Sequence, residues 1–424
     1  MSEGGLRALR HRNYRLFFGG QLASLLGMWL QLVAQSWLIL RLTDQASYVA
    51  LVYLAQLGPG LFIMPFAGAL ADRYSRKRIL LWSHAAAFVP ALAMGLLTLS
   101  GTITTWQVMG FALLTGIARS FEIPTRQAFV PALVERSDIP NAVALNSILF
   151  NSCRLVGPAV AGVVIARWGE GWCFLLNAAL FAPVWLALLS IRAGDEPLGP
   201  STGSLTQSIG VALHYVGATP VLWSLLGGMA VASVVGMPYT TLLPSFATRV
   251  LGAGEVAYGM LTSAVGLGAF ASAVALAMRR SVEGLERWVV GAGLFFAASL
   301  CGFSQTTQLW TAILLLACVG LGFMFMMAGT STLLQLRVPD ALRGRVMSFH
   351  TTVFLGAFPF GGLVAGQLAD RYGESLVLSG AGIIVACGVL CFGRVLLRGM
   401  HAERAESLAP DSPSPPRELS PRDA

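Results

Sequence analysis

The stretch Gly68–Arg78 reads GALADRYSRKR and places five full charges in a chain that is otherwise strongly apolar. It follows an uncharged run from Val49 to Leu70 and precedes a second uncharged run from Ile79 to Leu99. Each run has about the 20 residues that a helix needs to cross the hydrocarbon core of a bilayer. The stretch is therefore predicted to be a short loop between two membrane-spanning helices.

The composition extends this interpretation to the whole chain. Of the 424 residues, 55% are hydrophobic and 11% are charged, and the mean hydropathy is +0.70. These values exclude a set of soluble domains and indicate a polytopic, all-α membrane protein embedded in the lipid bilayer. The net charge of +8 does not indicate nucleic-acid binding, because the arginines fall mainly between apolar runs. No nucleic acid is expected as a partner.

Twelve apolar segments are long enough to span the membrane. They lie at about 16–40, 47–71, 79–99, 104–123, 142–166, 171–191, 221–247, 256–278, 288–304, 309–331, 347–369 and 374–397. If the N-terminus is cytoplasmic, the inner segments hold 20 basic residues and the outer loops hold 4. This asymmetry predicts a multi-pass protein of the cell inner (plasma) membrane with both termini in the cytoplasm.

A break in hydropathy divides the twelve segments into two groups of six. We predict an N-terminal six-helix bundle over 1–192, a cytoplasmic linker over 193–219 and a C-terminal six-helix bundle over 220–398. The Pro-, Ser-, Glu- and Arg-rich residues 399–424 are predicted to be a disordered cytoplasmic tail. A weak echo between the halves, ARWGE at 166–170 and DRYGE at 370–374, favours a duplicated six-helix unit.

A polar stripe runs along the first segment. Its members Gln21, Ser24, Met28, Gln31 and Gln35 are confined to an arc of about 80° at helical spacing. Two interpretations remain: the amides form hydrogen bonds between helices, or they form the wall of a wet cavity. The length of the stripe and its three glutamines favour the cavity wall.

Charged residues lie at membrane depth in the fourth segment. Thr115, Arg119, Glu122 and Arg126 share one face of a helix. A charge within a membrane costs about 2.5 to 3.5 kcal/mol on insertion scales, so such residues are seldom incidental. Arg119 and Glu122, three residues apart, are placed to pair with each other.

The fifth segment places Asn151 and Arg154 on one face, with no first-half carboxylate at the depth of Arg154. Three partners for this arginine remain open: backbone carbonyls with Asn151, an anionic or catechol-like group on a substrate, or a counter-ion from the second half. Further along, Gly157, Pro158 and Gly162 predict close helix packing and a bend or hinge.

Motifs for catalysis and cofactors are absent from the sequence. It contains no catalytic triad pattern, P-loop, HExxH or GxSxG, and its five histidines are scattered. The six cysteines lie in apolar runs without a CxxC spacing. Neither an enzyme, a metal site nor a cofactor is expected.

The charged loop Gly68–Arg78 resembles the helix 2 to helix 3 signature of the major facilitator superfamily, and we call it the signature loop. The residues in the expected places are Gly68, Leu70, Asp72, Arg73, Arg76 and Lys77, with Ser75 where a second glycine is usual. The runs RSFEIPTRQAFVPALV at 119–134 and NSILFNSCRLVGPAVAG at 146–162 resemble the branch that includes the enterobactin exporter and macrolide efflux proteins. The GP pair within the second run resembles the helix 5 signature of antiporter members, although Ala161 replaces its usual first glycine.

This resemblance implies two six-helix bundles of the major facilitator fold. It implies a secondary active transporter that exports an amphipathic small molecule, siderophore or drug-like, by proton antiport with alternating access. It also implies a gating loop in which Asp72 holds the halves together by meeting the start of helix 11, expected near 346–349. The protein is expected to be a monomer whose partners are a small-molecule substrate and protons.

Candidate residues follow for the cavity and for coupling. We expect Gln21, Met28, Gln31, Gln35, Asn151 and Arg154 to line the substrate cavity. Glu122, with Arg119 as its neighbour, is the leading proton carrier, because within the first-half helices it is the only carboxylate outside the signature loop and the helix termini. The alternative is that Glu122 belongs to a structural ion pair.

Two other functions remain as alternatives. A lysophospholipid flippase should expose a lateral opening with an apolar half-cavity and one charged end. A non-transporting receptor or scaffold would need no polar faces deep in helices 1, 4 and 5, and their presence disfavours it.

Overall fold

The computed structural model describes residues 6–192, 215–279 and 281–408, which form twelve long helices and no strand. The first six helices, α1–α6, are Arg12–Thr43, Ala46–Arg73, Arg76–Leu99, Thr105–Phe129, Ile139–Trp168 and Glu170–Ser190. Helix α7 spans Pro220–Val250. Helices α8–α12 are Glu255–Ala277, Leu285–Gln305, Leu309–Arg337, Asp340–Tyr372 and Glu374–Leu408. The all-α fold class is confirmed.

Eleven of the described helices contain a window that is long and apolar enough to cross a membrane, judged by length and composition. The exception is α4, which has 25 residues and a length of about 37 Å. Its hydropathy is low because it contains Gln107, Arg119, Glu122 and Arg126. The charged residues that lower the hydropathy of α4 are thus the ones predicted to have a function.

The helices pack as two bundles of six. In the first, α1 packs against α5 and α6, and α3 packs against α4 and α6. In the second, α10 contacts α8 and α9, and α12 contacts α7 and α9. The bundles meet where α5 packs along α8 and α2 packs along α11. We call the end that bears Gly68–Arg78 the inner end and the opposite end the outer end.

Two helix boundaries differ from the expectations. Helix α11 begins at Asp340 rather than near 346–349, and α12 continues through 399–408, which the sequence predicts to be tail. This last stretch contains Ala, Glu, Arg and Leu, which favour helix, whereas all the prolines of the predicted tail come after it. Most of the predicted linker, 193–214, and the end of the predicted tail, 409–424, lie outside the described residues.

The sequence echo between the halves has a structural counterpart. Gly169 and Gly373 both take positive φ angles, 88° and 84°, which a residue with a Cβ rarely adopts. The glutamate that follows each glycine starts a helix and is paired with an arginine: Glu170 with Arg41 at 2.8 Å, and Glu374 with Arg249 at 3.0 Å. The first pair joins α1 to α6 and the second joins α7 to α12, which are equivalent positions in the two halves.

Helix α7 is irregular at two places. It contains π-helical turns at Ala232–Gly236 and Phe246–Val250, on either side of a short α-helical stretch, Tyr239–Ser245. Such turns displace side chains from the regular helical register and often occur at functional sites. Here they flank Tyr239 and include Arg249, both of which contact the first half.

Candidate functional site

A buried ion pair lies on α4 inside the first half. Nη1 of Arg126 is 3.1 Å from Oε1 of Glu122, and Glu122 is only 6% exposed. The sequence predicts Arg119 as the partner, three residues away. The structure instead pairs Glu122 with the arginine four residues away, because the guanidinium of Arg119 is directed elsewhere.

Arg119 is directed toward α1. Its Nη2 donates to the Sδ of Met28, and the guanidinium remains within electrostatic range of Glu122. Met28 is a predicted cavity residue and Arg119 a predicted coupling residue. The structure therefore brings members of both predicted sets into contact.

His84 on α3 completes this group, although it is not among the residues predicted from the sequence. The side chain is buried and interacts electrostatically with Glu122, Arg126 and Arg119. Its ring centroid lies 5.7 Å from that of Phe181 on α6. A lone histidine in an uncharged run was the only sequence signal, since its charged neighbours are on another helix. We call His84, Arg119, Glu122 and Arg126 the α4 charge cluster.

The polar stripe of α1 also lies inside the first half. Gln21, Gln31 and Gln35 are buried, at 3%, 3% and 1% exposure, so these three do not form an open cavity wall in this conformation. Oε1 of Gln31 accepts a hydrogen bond from Nδ2 of Asn177 on α6, as in the interhelical alternative. Among the described residues, none is a hydrogen-bond partner of the three Nε2 atoms or of Thr115 Oγ1.

Arg154 lies where the two halves meet. Its backbone oxygen is so close to α8 that a Cβ added to Gly266 would lie 2.7 Å from it. The side chain is partly exposed, and its electrostatic neighbour is Tyr239 of α7. No residue in the described ranges accepts a hydrogen bond from the guanidinium or forms an ion pair with it.

Asn151 does not act as the partner of Arg154. Its Nδ2 donates to the backbone oxygen of Ser147 at 2.9 Å, one turn earlier in α5. The amide of Asn151, one of the partners that the sequence left open for Arg154, is thus engaged within its own helix. Of the two proposed cavity residues of α5, Arg154 is the one whose polar group remains available to a substrate.

Three tyrosines of the two halves form a group that includes the electrostatic neighbour of Arg154. Tyr239 of α7 and Tyr258 of α8 both interact electrostatically with Tyr53 of α2. The hydroxyls of Tyr53 and Tyr258 reach Ser36 of α1. Both halves therefore contribute to a group of three tyrosines, and Tyr239 is the member that interacts with Arg154. No spacing within a single helix could indicate this group.

The predicted close packing of α5 is present. A Cβ on Gly157 would lie 2.6 Å from Cβ of Trp29 in α1, and one on Gly162 would lie 2.7 Å from the backbone oxygen of Glu255 in α8. Only glycine permits these approaches. Pro158 lies within the continuous helix α5, and a hinge there stays a prediction.

Two cations of the signature loop hold helix ends together. Arg76 donates to the backbone oxygens of Ala71 at 3.3 Å and Ala128 at 3.1 Å. Lys77 donates to the backbone oxygen of Ile191 at 2.9 Å. These bonds satisfy carbonyls that lack partners at helix C-termini, and they join the ends of α2, α4 and α6.

The other members of the predicted gating loop have fewer contacts. Arg73 is exposed, and no heavy atom lies within 4 Å of a Cβ built on Gly68. Asp72 lies in the last turn of α2, but its side chain is outside the described part of the structure. Its contact with α11 stays a prediction.

Arg249 connects the two halves at the outer end. Its Nη1 lies 3.0 Å from Oε1 of Glu374 and 3.8 Å from Oδ1 of Asp370, and its Nη2 lies 3.2 Å from Oδ1 of Asp44. Asp44 belongs to the turn between α1 and α2, so Arg249 reaches from the second half to the first. We call these four residues the outer ion network.

Asp370 makes a second connection at the same end. Its two carboxylate oxygens accept hydrogen bonds from the backbone N–H groups of Ala46 at 2.8 Å and Ser47 at 3.0 Å. These groups begin α2 and have no partner within that helix. The approach is possible because residue 366 is a glycine: a Cβ there would lie 2.7 Å from Cα of Ser47.

The sequence around Asp370 repeats the signature loop. Gly366–Tyr372 reads GQLADRY and Gly68–Tyr74 reads GALADRY, so the two differ at one position. The repeat was not among the sequence predictions, because DRYGE at 370–374 was paired there with ARWGE at 166–170. In the structure the two copies end α11 and α2, which run antiparallel along each other, so the copies lie at opposite ends of one interface.

Known proteins resemble this chain over nearly its full length. The sequence model of a family described as transmembrane secretion effector matches residues 3–422. The chain is 27% identical over 386 residues to the staphyloferrin A transporter of Staphylococcus aureus, covering 89% of this chain and 95% of that protein.

Two further relatives are exporters by name. The enterobactin exporter EntS of Escherichia coli O1:K1 is 27% identical over 367 residues, covering 84% of this chain and 85% of that protein. The multidrug efflux pump Tap of Mycolicibacterium fortuitum is 25% identical over 356 residues, covering 82% and 87%.

Solved structures share the fold. An inward-facing bacterial homologue of the iron transporter ferroportin aligns with a TM-score of 0.71 at 16% identity, covering 92% of this chain and 98% of that one. An inward-facing bacterial homologue of the lysosomal transporter Spinster aligns with a TM-score of 0.66 at 15% identity, covering 94% and 99%. At these identities the likeness shows the fold alone.

Proposed function

The chain belongs to the transmembrane secretion effector family of major facilitator transporters, and from this premise we propose that it exports an amphipathic small molecule by proton antiport with alternating access. It is a multi-pass membrane transporter and not an enzyme. The proposed substrate is siderophore-like or drug-like and bears an anionic or catechol-like group.

The observation that supports this proposal is the position of Arg154. A guanidinium at membrane depth is costly unless a partner satisfies it, and the described residues supply none. The side chain lies at the boundary of the halves, where transporters of this architecture bind their substrates. A carboxylate or catecholate on the substrate would accept two parallel hydrogen bonds from it.

The relatives favour the same substrate chemistry. Their printed names include a transporter of staphyloferrin A, an exporter of enterobactin and a multidrug efflux pump. We therefore propose a siderophore-like anion as the preferred substrate of this chain and a drug-like amphiphile as the second. Tyr239 of α7 is the electrostatic neighbour of Arg154, and at 1% exposure it is buried in this conformation.

Alternating access is supported by the closure of the outer end. The outer ion network and the cap on α2 join the halves there, and tyrosines of both halves interact with one another. We infer that this conformation is open toward the inner end. Export would require these outer contacts to break while the halves close around the signature loop.

Proton coupling is proposed for the α4 charge cluster. Glu122 is buried and held by Arg126 at 3.1 Å, with His84 and Arg119 within electrostatic range. Protonation of Glu122 would release Arg126. It would also change the charge that faces Arg119, which contacts Met28 on α1. A change of charge on α4 is therefore placed to move α1 relative to α4.

The proposed location is the inner (plasma) membrane, with both termini in the cytoplasm. The 20 to 4 distribution of basic residues supports this orientation. A reporter fused after residue 398 should be active only in its cytoplasmic form. An extracellular signal from that fusion would reject the orientation.

Transport into everted membrane vesicles tests the proposed function. Vesicles with an acid interior should accumulate enterobactin or staphyloferrin A, and dissipation of the pH gradient should abolish the accumulation. Arg154→Leu should lower transport of these anions by about tenfold or more, because a charge-assisted hydrogen bond contributes about 1.5 to 3 kcal/mol. Arg154→Lys keeps the charge and should retain more transport than Arg154→Leu. Full transport of both anions by Arg154→Leu would reject the substrate role of this residue.

A further inference from the structure

A groove runs along the lateral, lipid-facing surface of the first half, between α3, α4 and the inner end of α2. Its volume is about 570 Å³. The walls include Trp82, Val89 and Leu114, which are 76%, 62% and 51% exposed. Large apolar side chains at such exposure face lipid in a membrane-spanning bundle, so the groove is apolar along its length.

One end of the groove is charged. Arg78 lines it next to Ser75, at the inner end of α3. The groove reaches from Arg78 to Pro90, which corresponds to about 18 Å along the helix axis. The hydrocarbon core of a bilayer is about 30 Å thick, so the groove has roughly the depth of one leaflet.

Arg78 differs from the two cations that precede it directly in the same loop. Arg76 and Lys77 donate to backbone carbonyls at helix ends. The guanidinium of Arg78 is exposed, and no residue of the described ranges accepts a hydrogen bond from it. It therefore remains available to a group outside the protein.

We propose that this groove binds one anionic phospholipid, with the headgroup phosphate on Arg78 and an acyl chain along Trp82 and Val89. A planar guanidinium matches the geometry of a phosphate and donates two parallel hydrogen bonds to it. None of the described lining residues is acidic, so nothing among them would accept the ammonium group of a zwitterionic lipid. The chemistry thus favours a headgroup with net negative charge.

The lipid is a resident partner and not the transported molecule. All described lining residues belong to α2, α3, α4 or the loop between α2 and α3, whereas Arg154 lies between α5, α7 and α8. The groove is therefore separate from the proposed substrate site. Its position beside the signature loop places the lipid against the end of α2.

Quenching of Trp82 fluorescence tests the site. The full-length protein is reconstituted in phosphatidylcholine nanodiscs with increasing fractions of either brominated phosphatidylglycerol or brominated phosphatidylcholine. The chain has ten tryptophans, so the signal of Trp82 is taken as the part of the fluorescence that Trp82→Phe removes. Half-quenching should need about fivefold less phosphatidylglycerol than phosphatidylcholine, because one arginine near the surface favours an anionic lipid by about that factor.

Arg78→Gln should bring this ratio to about one. Arg15→Gln is the matched control, since Arg15 is also an exposed arginine at the inner end but lies outside the groove; it should keep the fivefold preference. Gel filtration checks that each variant is folded. Equal quenching by the two lipids in the wild type, or an unchanged preference in Arg78→Gln, would overturn the proposal.

Discussion

The carboxylate of Asp370, at the end of α11, caps the helix that begins at Ala46 in the other half. Its Oδ1 accepts the backbone N–H of Ala46 at 2.8 Å, and its Oδ2 accepts that of Ser47 at 3.0 Å. A negative charge at this position also interacts favourably with the positive N-terminal end of α2. The bond can exist only while the two halves are together at the outer end, so it is a contact of one conformation and not of the fold as a whole.

Asp370→Asn should therefore shift the protein toward opening at the outer end. The amide keeps one acceptor oxygen but loses the charge and one hydrogen bond, at a cost of about 1 kcal/mol, or about fivefold in the equilibrium between conformations. Double electron–electron resonance between spin labels at the exposed outer-loop positions Thr102 and Thr307 measures this equilibrium. The labels are placed in a background without the native cysteines, all of which are free thiols.

Asp44→Asn is the control for this measurement. Asp44 also faces Arg249, at 3.2 Å, but its side chain is 89% exposed. Exposed ion pairs contribute about 0 to 1 kcal/mol, so the shift should be smaller than that of Asp370→Asn. An equal or larger shift in Asp44→Asn would show that general charge at the outer end, rather than the helix cap, holds the halves together.

Arg249 and Glu374 should be energetically coupled. The side chain of Glu374 is 5% exposed and that of Arg249 is 32% exposed, so Arg249→Gln leaves a buried carboxylate without its partner. We expect this variant to destabilise the outer-closed conformation by about 1 to 3 kcal/mol. The double variant Arg249→Gln/Glu374→Gln should lose less than the sum of the single variants. The same resonance distances measure all three, and strict additivity would contradict a direct interaction.

The helices could be predicted from the sequence because a bilayer imposes strong constraints. Every backbone group of a spanning segment must be satisfied internally, so long apolar runs become helices. The alternation of long apolar runs and charged residues also locates the signature loop, and it shows that Glu122 and Arg154 lie within helices. Helix ends outside the apolar runs were less predictable, as the extension of α12 to Leu408 shows.

The contacts between helices could not be predicted in the same way. Spacing along α4 allowed either neighbouring arginine to pair with Glu122, and the choice depends on Met28 in another helix. His84 enters the α4 charge cluster only because α3 and α4 are rotated toward each other. The hydrogen bond from the backbone N–H of Ala46 to Asp370 joins residues that are 324 positions apart.

Glu122→Gln should separate proton coupling from substrate binding. The amide cannot take up or release a proton, but it keeps the shape of the side chain beside Arg126. In proteoliposomes with an imposed pH gradient, we expect the variant to lose gradient-driven accumulation by at least tenfold while substrate exchange without a gradient persists. This separation follows if Glu122 exchanges protons and does not contact the substrate.

Glu170→Gln provides the matched control for Glu122→Gln. Glu170 is another buried glutamate of the first half, and it pairs with Arg41 at 2.8 Å at the outer end. Loss of this ion pair should reduce protein stability without uncoupling transport from the pH gradient. If Glu122→Gln retains gradient-driven transport at the wild-type rate, Glu122 is half of a structural ion pair and the coupling group lies elsewhere.

Asp72→Asn should have the opposite conformational effect to Asp370→Asn. The two aspartates occupy the same place in the repeated sequences GALADRY and GQLADRY, at the ends of two antiparallel helices that pack along each other. If Asp72 caps the start of α11 as Asp370 caps α2, it stabilises closure of the inner end, and its loss should favour the inner-open conformation by about fivefold. Transport should fall while membrane insertion stays normal, because only a contact at a helix terminus is weakened.

The double variant Asp72→Asn/Asp370→Asn provides the decisive comparison. Two opposing shifts of similar size should return the distance between Thr102 and Thr307 close to its wild-type distribution, although transport would stay low because neither closed state is fully stabilised. A double variant whose distances match those of Asp370→Asn alone would show that Asp72 does not bias the equilibrium. In that case the charges of the signature loop act as a membrane anchor, and the repeated sequence has a conformational role only at the outer end.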